Sequence, residues 1–336
     1  MHRRALLLAV AGLSGCTSLV GRPLGGGSDQ AGGSSGSDSG STGTESTGDG
    51  GTGAEADEAS DPASEPQTPS PAELRRMSVP DLLALSRDNL SRAVETYADA
   101  AGDDSLTAVT AATDAFDPGP VVDYLYGARQ AYEAADRQGV STADRAEIDR
   151  LGRVEEFLRL SIDAQVLLIE AHNDLEGVVT AIEYVDPETA RSLTDRAGAR
   201  QERASGAVTD LSNSRYERSI RVVDTLSRDE YREKRDQLKA ETAVLGDVHE
   251  ALASVVEGVR LFARARGRRR SGAPYAAADL GRDAATAFDR GGTALRDVGS
   301  RIPRQAQGFD GVVASLRAAT ADGGTEARAF YRDIEA

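Results

Sequence analysis

Tryptophan is absent, cysteine occurs once and histidine three times in the 336 residues. A lone cysteine, Cys16, has no disulfide partner within the chain and cannot by itself build a zinc finger or a dithiol redox site. Only Lys234 and Lys239 are lysine among 39 basic residues, and neither follows a glycine, which excludes a P-loop. Aromatic residues make up 4% of the chain, and no segment alternates apolar and polar residues as a strand would. Without a strand, no dinucleotide fingerprint has the context it needs. Ala5 to Leu13 is a run of small and apolar residues too short, at about 1.5 Å per residue, to cross a hydrocarbon core of about 30 Å.

That run is nevertheless informative for its flanks. Arg3 and Arg4 precede it, and Leu13-Ser14-Gly15-Cys16 closes it. A basic start, a short apolar core and small residues before a single cysteine form a signal peptide over residues 1–15. Together these residues resemble the signal of a twin-arginine-exported lipoprotein of salt-loving archaea, with His2 standing where that signal carries Ser or Thr. The resemblance covers about the first 16 residues. It implies lipid attachment at Cys16 and an extracytoplasmic chain anchored to the outer face of the cell membrane. The composition agrees: net charge is −16, pI about 4.7, and arginine replaces lysine almost everywhere. A carboxylate-rich surface keeps a protein soluble where salt screens charge within a few ångström.

Residues 16–71 follow as Gly, Ser, Thr, Asp, Glu and Pro, with nine acids and one base, Arg22. So little apolar surface cannot offset the entropy of ordering, and a disordered tether is expected. Gly25 to Gly53 is its flexible part, and Pro62, Pro66, Pro69 and Pro71 stiffen its end. Gly32-Gly33-Ser34-Ser35-Gly36 matches the G-x-S-x-G nucleophile elbow, but the elbow needs a strand before it and a helix after it, and neither fits here.

Residues 72–336 read as helix throughout, an all-α domain with apolar residues at spacings of three and four and a net charge of about −10. Cap signals at Ser78, Ser141, Asp186 and Ser227, with breaks at Pro118-Gly119-Pro120, Gly272 to Pro274 and Pro303, divide it. The pattern predicts helices near 79–100, 105–116, 120–138, 142–183, 187–212, 215–225, 228–268, 275–299 and 303–321, with a short one after Thr325. In the first long helix, Leu151, Leu158, Gln165, His172 and Val179 occupy one heptad position, and Val154, Ser161, Leu168, Leu175 and Ile182 the other. The second long helix repeats the pattern 77 residues later, pairing Leu168 with Leu245, His172 with His249 and Leu175 with Leu252. Gly127-Ala-Arg-Gln130 recurs as Gly198-Ala-Arg-Gln201. We read a duplicated unit, about 118–183 and 190–268, with a degenerate third unit at 274–335. The expected architecture is an elongated antiparallel bundle or a short helical-repeat array.

Chemistry-bearing residues are few. His172 and His249 share a seam position, with Glu170, Glu176, Asp247 and Glu250 near them in sequence, so a metal or solute site between helices competes with a polar residue that fixes register. His249-Glu250 begins H-E-x-x-H, but Ala253 stands in place of the second histidine. Leu175 and Leu252 stand where di-iron bundles carry a glutamate three residues from the histidine. The G-x-H-x-x-E of imelysin-type iron-uptake lipoproteins is also absent, since Asp247 and Val248 separate Gly246 from His249. Arg264, Arg266, Arg268, Arg269 and Arg270 end a long helix, where they complement its dipole or meet an anionic surface. Asn89-Leu90-Ser91 is a glycosylation triplet inside a predicted helix. The acidic balance argues against nucleic acid. The expectation is a lipid-anchored helical interaction module with no catalytic activity and no cofactor. Its partner is the membrane, through Cys16, together with a protein or envelope component, and self-association is open. The alternative is a solute- or metal-binding lipoprotein that uses the seam around His172 and His249.

Overall fold

A computed structural model describes residues 69–103, 105–212 and 215–336. The signal segment, Cys16, the G-x-S-x-G match and the tether up to residue 68 lie outside the described residues. The rest is a helical bundle. Its helices are α1 (Pro71–Leu74), α2 (Val79–Asp99), α3 (Gly119–Asp136), α4 (Thr142–Tyr184), α5 (Pro187–Leu211), α6 (Arg228–Arg270), α7 (Pro274–Gly299) and α8 (Asp310–Glu335). Short 3-10 turns occupy Leu106–Ala108, Ile220–Val222 and Arg304–Phe309, and no strand occurs among the described residues.

The caps act where the sequence puts them. Ser78 accepts from the Asp81 amide, and Asp186 from that of Thr189. Ser141 and Asp144 close a reciprocal capping box. Ser227 accepts from the Glu230 amide at 3.0 Å, but the Glu230 carboxylate does not return the bond. It accepts instead from the amide of Leu106, 124 residues earlier. Helix α4 ends on Val185 at φ 56°, a left-handed conformation that costs a β-branched residue about 1–2 kcal/mol. Gly177, Gly246 and Gly258 do not interrupt α4 or α6.

Three expectations need correction. Residues 105–116 are not a helix beyond the turn Leu106–Ala108. Four of their residues, Thr107, Val109, Thr110 and Thr113, are β-branched, and the backbone from Leu106 to Ala111 bonds to α6 side chains. Residues 215–225 form turns around Ile220–Val222, again in a β-branched stretch. Finally, α8 runs unbroken to Glu335 across Gly323-Gly324. Those glycines admit the Phe288 ring of α7: a Cβ on Gly323 would lie 3.0 Å from its Cζ. They are contact positions, not a helix stop.

Consecutive helices pack antiparallel. From α4 to α5, Glu170 meets Arg200, Asp174 meets Arg196 and Gly177 meets Leu193. From α6 to α7, Gly258 meets Phe288 and Val255 meets Gly291. Helices α4 and α6 are therefore parallel, with the Phe157 and Tyr231 rings 4.8 Å apart and Gln165 beside Lys234. They are also staggered. From Gln165, α4 continues 19 residues to Tyr184, whereas from Lys234 α6 continues 36 residues to Arg270. Each long helix thus overhangs the other by about 25 Å. Helices α2 and α3 cover the overhang of α4 (Arg87 on Glu147, Arg129 on Glu155), and α7 and α8 cover that of α6. Three apolar pairs across the 77-residue offset share their burial: Leu168 and Leu245, Leu175 and Leu252, and Val178 and Val255 are all fully enclosed. Their caps, Ser141 and Ser227, lie 86 residues apart, so the match concerns the seam and not the helix starts.

Candidate functional site

At the waist, where α4 and α6 overlap, the connection from α2 to α3 crosses α6 as a strap. A helix satisfies its own amides and carbonyls; a buried strap cannot. One face of α6, Glu230, Lys234, Gln237 and Glu241, supplies the partners. Glu230 accepts from the Leu106 amide at 3.2 Å, and Glu241 Oε1 from the Ala111 amide at 3.3 Å. Gln237 Nε2 donates to the Thr107 and Val109 carbonyls at 3.2 and 3.1 Å. Lys234 Nζ donates to the Val109 carbonyl at 2.8 Å, to Gln165 Oε1 at 2.7 Å and to Gln237 Oε1 at 3.2 Å. All three donors of the ammonium are used. A guanidinium at this position would bring five donors and a charge it cannot lose, which gives a physical reason for lysine in a chain that otherwise uses arginine.

Lys234 and Glu241 are both fully buried. Burial pushes the Lys234 ammonium down to about 7, against the opposing pull of the Glu241 charge. Burial also pushes Glu241 up to about 7, opposed by Lys234, the Ala111 amide, Gln237 and Gln165. The Tyr97 ring sits 5.1 Å from Lys234 Nζ, and burial, with the Glu241 charge, drives its phenol well above its usual range. Tyr97 Oη is buried without a hydrogen-bond partner among the described residues, and Gln165 Nε2 and Glu241 Oε2 are buried near each other, outside good hydrogen-bond geometry but close enough for Gln165 to favour the Glu241 carboxylate.

A cleft of about 480 Å³ opens beside this cluster, between the strap, α6 and the segment before α8. Gln237 is shared between the cleft and the cluster. A second cleft of about 600 Å³ lies on the other side of Gly308 and holds Asp114, His172 and Glu176.

The two seam histidines have different surroundings. His172 stacks obliquely on Phe309, ring centroids 5.9 Å apart, and burial lowers its pKa against the pull of Glu176 and Asp114. His249 lies over α5, where a Cβ on Gly198 would fall 2.5 Å from its Nε2. Glu170 is taken up by Arg200 at 2.9 Å, and Asp247 and Glu250 are exposed. No group of three or more His, Cys, Asp or Glu among the described residues is placed to hold a metal. The Asn89 amide packs against Gly127 of α3. In the arginine run, Arg266 pairs with Glu326 at 2.9 Å and Arg269 with Asp333 at 2.7 Å, each stacked on a phenylalanine, Phe262 or Phe330. Arg264 and Arg268 are exposed and form no ion pair among the described residues, and Tyr275, at the start of α7, is 86% exposed.

The waist went unread in the sequence. Gln165 was visible as a seam residue; Lys234 and Glu241, seven residues apart on α6 and each one position before a seam residue, are the signal that would have found it. No family model, curated protein or solved structure matches the chain.

Proposed function

We propose that the chain is a lipid-anchored, surface-displayed helical module that binds a protein or envelope component and performs no catalysis. Cys16 carries the lipid and residues 17–71 tether the bundle to the outer face of the membrane. The observation behind the binding role is the overhanging end of α6. There, on a molecule of net charge −16, Arg264 and Arg268 are exposed and form no ion pair with the described residues, and Tyr275, in the first turn of the following helix α7, is almost fully exposed. Tyrosine and arginine are the residues that most often dominate binding energy at interfaces. An acidic partner surface fits this end.

Cross-linking in intact cells, followed by capture and mass spectrometry, tests the reading. One dominant partner, absent from a tether-only control and lost in Arg264→Glu/Arg268→Glu/Tyr275→Ala, is the expected result. Capture unchanged by that triple variant refutes the assignment of the end; recovery of self-cross-links alone replaces the partner with a second copy. If Cys16→Ser still fractionates with membranes, the anchor is elsewhere.

A second reading, solute binding, draws on the cleft that joins His172 with Glu176 and Asp114. It predicts binding of a small solute that is lost in His172→Ala and is indifferent to His249→Ala, whose ring faces α5.

A further inference from the structure

Several arginines of this bundle lie against a carboxylate of the neighbouring helix or turn, as do Arg87, Arg129, Arg196, Arg200, Arg215, Arg232, Arg266, Arg269 and Arg328. Arg304, from the turn before α8, and Glu233, from α6, both line the waist cleft, and neither forms an ion pair or a side-chain hydrogen bond with the described residues. They come from two different elements that line the cleft, and so bring opposite charges to it. Gln305, Gln307 and Thr107 line it as well, as does Asp236, whose carboxylate is taken up by Arg235 at 2.8 Å. The base is Gln237, a buried amide already fixed by Lys234 and the strap. A pre-formed cavity of about 480 Å³ suits a molecule of a few to a dozen heavy atoms. Such a lining would desolvate an apolar ligand's polar surroundings without compensation, and it would satisfy only one end of a singly charged one.

We propose that the waist cleft binds a small zwitterion, its carboxylate on Arg304, its ammonium on Glu233, and its middle over Gln237. This goes beyond the interaction surface at the far end of α6 and does not depend on it. Because Arg304 and Glu233 are exposed, their charges act in high dielectric, and the expected affinity is modest, about millimolar.

The test is calorimetric titration of the full-length chain with glycine, β-alanine and γ-aminobutyrate, a ladder of charge separation, against acetate and methylammonium. We expect saturable binding that peaks at one rung and is about tenfold or more weaker for the single-charge controls. Arg304→Gln and Glu233→Gln should each weaken it about tenfold or more, with unfolding temperature unchanged, and Arg317→Gln should not alter it. No saturable binding of any of the three amino acids overturns the proposal. So does equal binding of acetate or methylammonium, or binding that survives both substitutions.

Discussion

Helices α4 and α6 have the same length, 43 residues, the same serine cap and the same heptad seam, yet their interiors differ in kind. The buried polar residues on the α4 seam are neutral, Ser161, Gln165 and His172, and the buried carboxylates beside that seam, Glu155 and Asp174, are met by arginines of the helices packed on it, Arg129 of α3 and Arg196 of α5. The first half of α6 is covered by a strap, and there Lys234 and Glu241 lie buried beside the seam. The difference teaches that the chemistry of a seam is set by the backbone lying on it. A helix needs only apolar contact, whereas the strap brings unpaired amides and carbonyls that must be matched.

The sharpest way to break this comparison is to remove one member of the buried pair. Lys234→Met leaves Glu241 buried without its counter-charge and should cost about 3–5 kcal/mol in urea unfolding. The double variant Lys234→Met/Glu241→Leu should lose less than the two single losses added together. The single variants should also respond to pH with opposite signs. In Lys234→Met, the surviving Glu241 has a folded-state pKa raised by burial. The folded form then binds more protons than the unfolded one, so stability is greatest below about 4.5 and is lost as pH rises towards the folded value. In Glu241→Gln, burial lowers the surviving Lys234, so stability is greatest above about 10.4 and is lost as pH falls. Equal slopes in the two variants would contradict the pairing.

A smaller effect separates the contacts made by the two halves of α6. A Cβ on Gly291 would meet Val255 Cγ2 at 2.5 Å and its backbone nitrogen at 3.1 Å, whereas one on Gly198 meets only the His249 ring. Gly291→Ala should cost about 1–3 kcal/mol by chemical unfolding, and Gly198→Ala less, since a half-buried imidazole can turn away. The α4 seam has its own titration. Burial lowers His172 below the usual imidazole range, so its contribution is complete above about 6.5 and is lost as pH falls through that value. His172→Gln should flatten that acid limb. The smallest effect lies at the α4 terminus, where Val185→Gly relieves the left-handed strain and should gain about 0.5–1 kcal/mol in thermal unfolding.

Much of the bundle was legible in the chain because its helices are specified locally. Ser78, Ser141, Asp186 and Ser227 mark starts, and three- and four-residue spacing marks buried faces. The segments misread are those whose partners are distant. Residues 105–116 have helix-like apolar spacing, but their backbone is claimed by Glu230, Gln237 and Glu241, more than 120 residues away. Gly323-Gly324 reads as a stop because its partner, Phe288, lies on another helix. The site was hidden for the same reason: a charge beside an apolar seam is uninterpretable until the element covering it is known. The heptad register that equated His172 with His249 was correct as periodicity, and it carried no information about which neighbour each ring would meet.

The most direct measurement is native-state hydrogen exchange at the strap amides, followed by mass spectrometry or NMR. In the native chain the Ala111 amide should be protected although it belongs to no helix, because Glu241 accepts from it. In Glu241→Leu that protection should fall by tenfold or more beyond any change shared with the amides of α7 and α8. An Ala111 amide that exchanges freely in the native chain, or one equally protected in the variant, would contradict the view that the α6 polar face holds the strap.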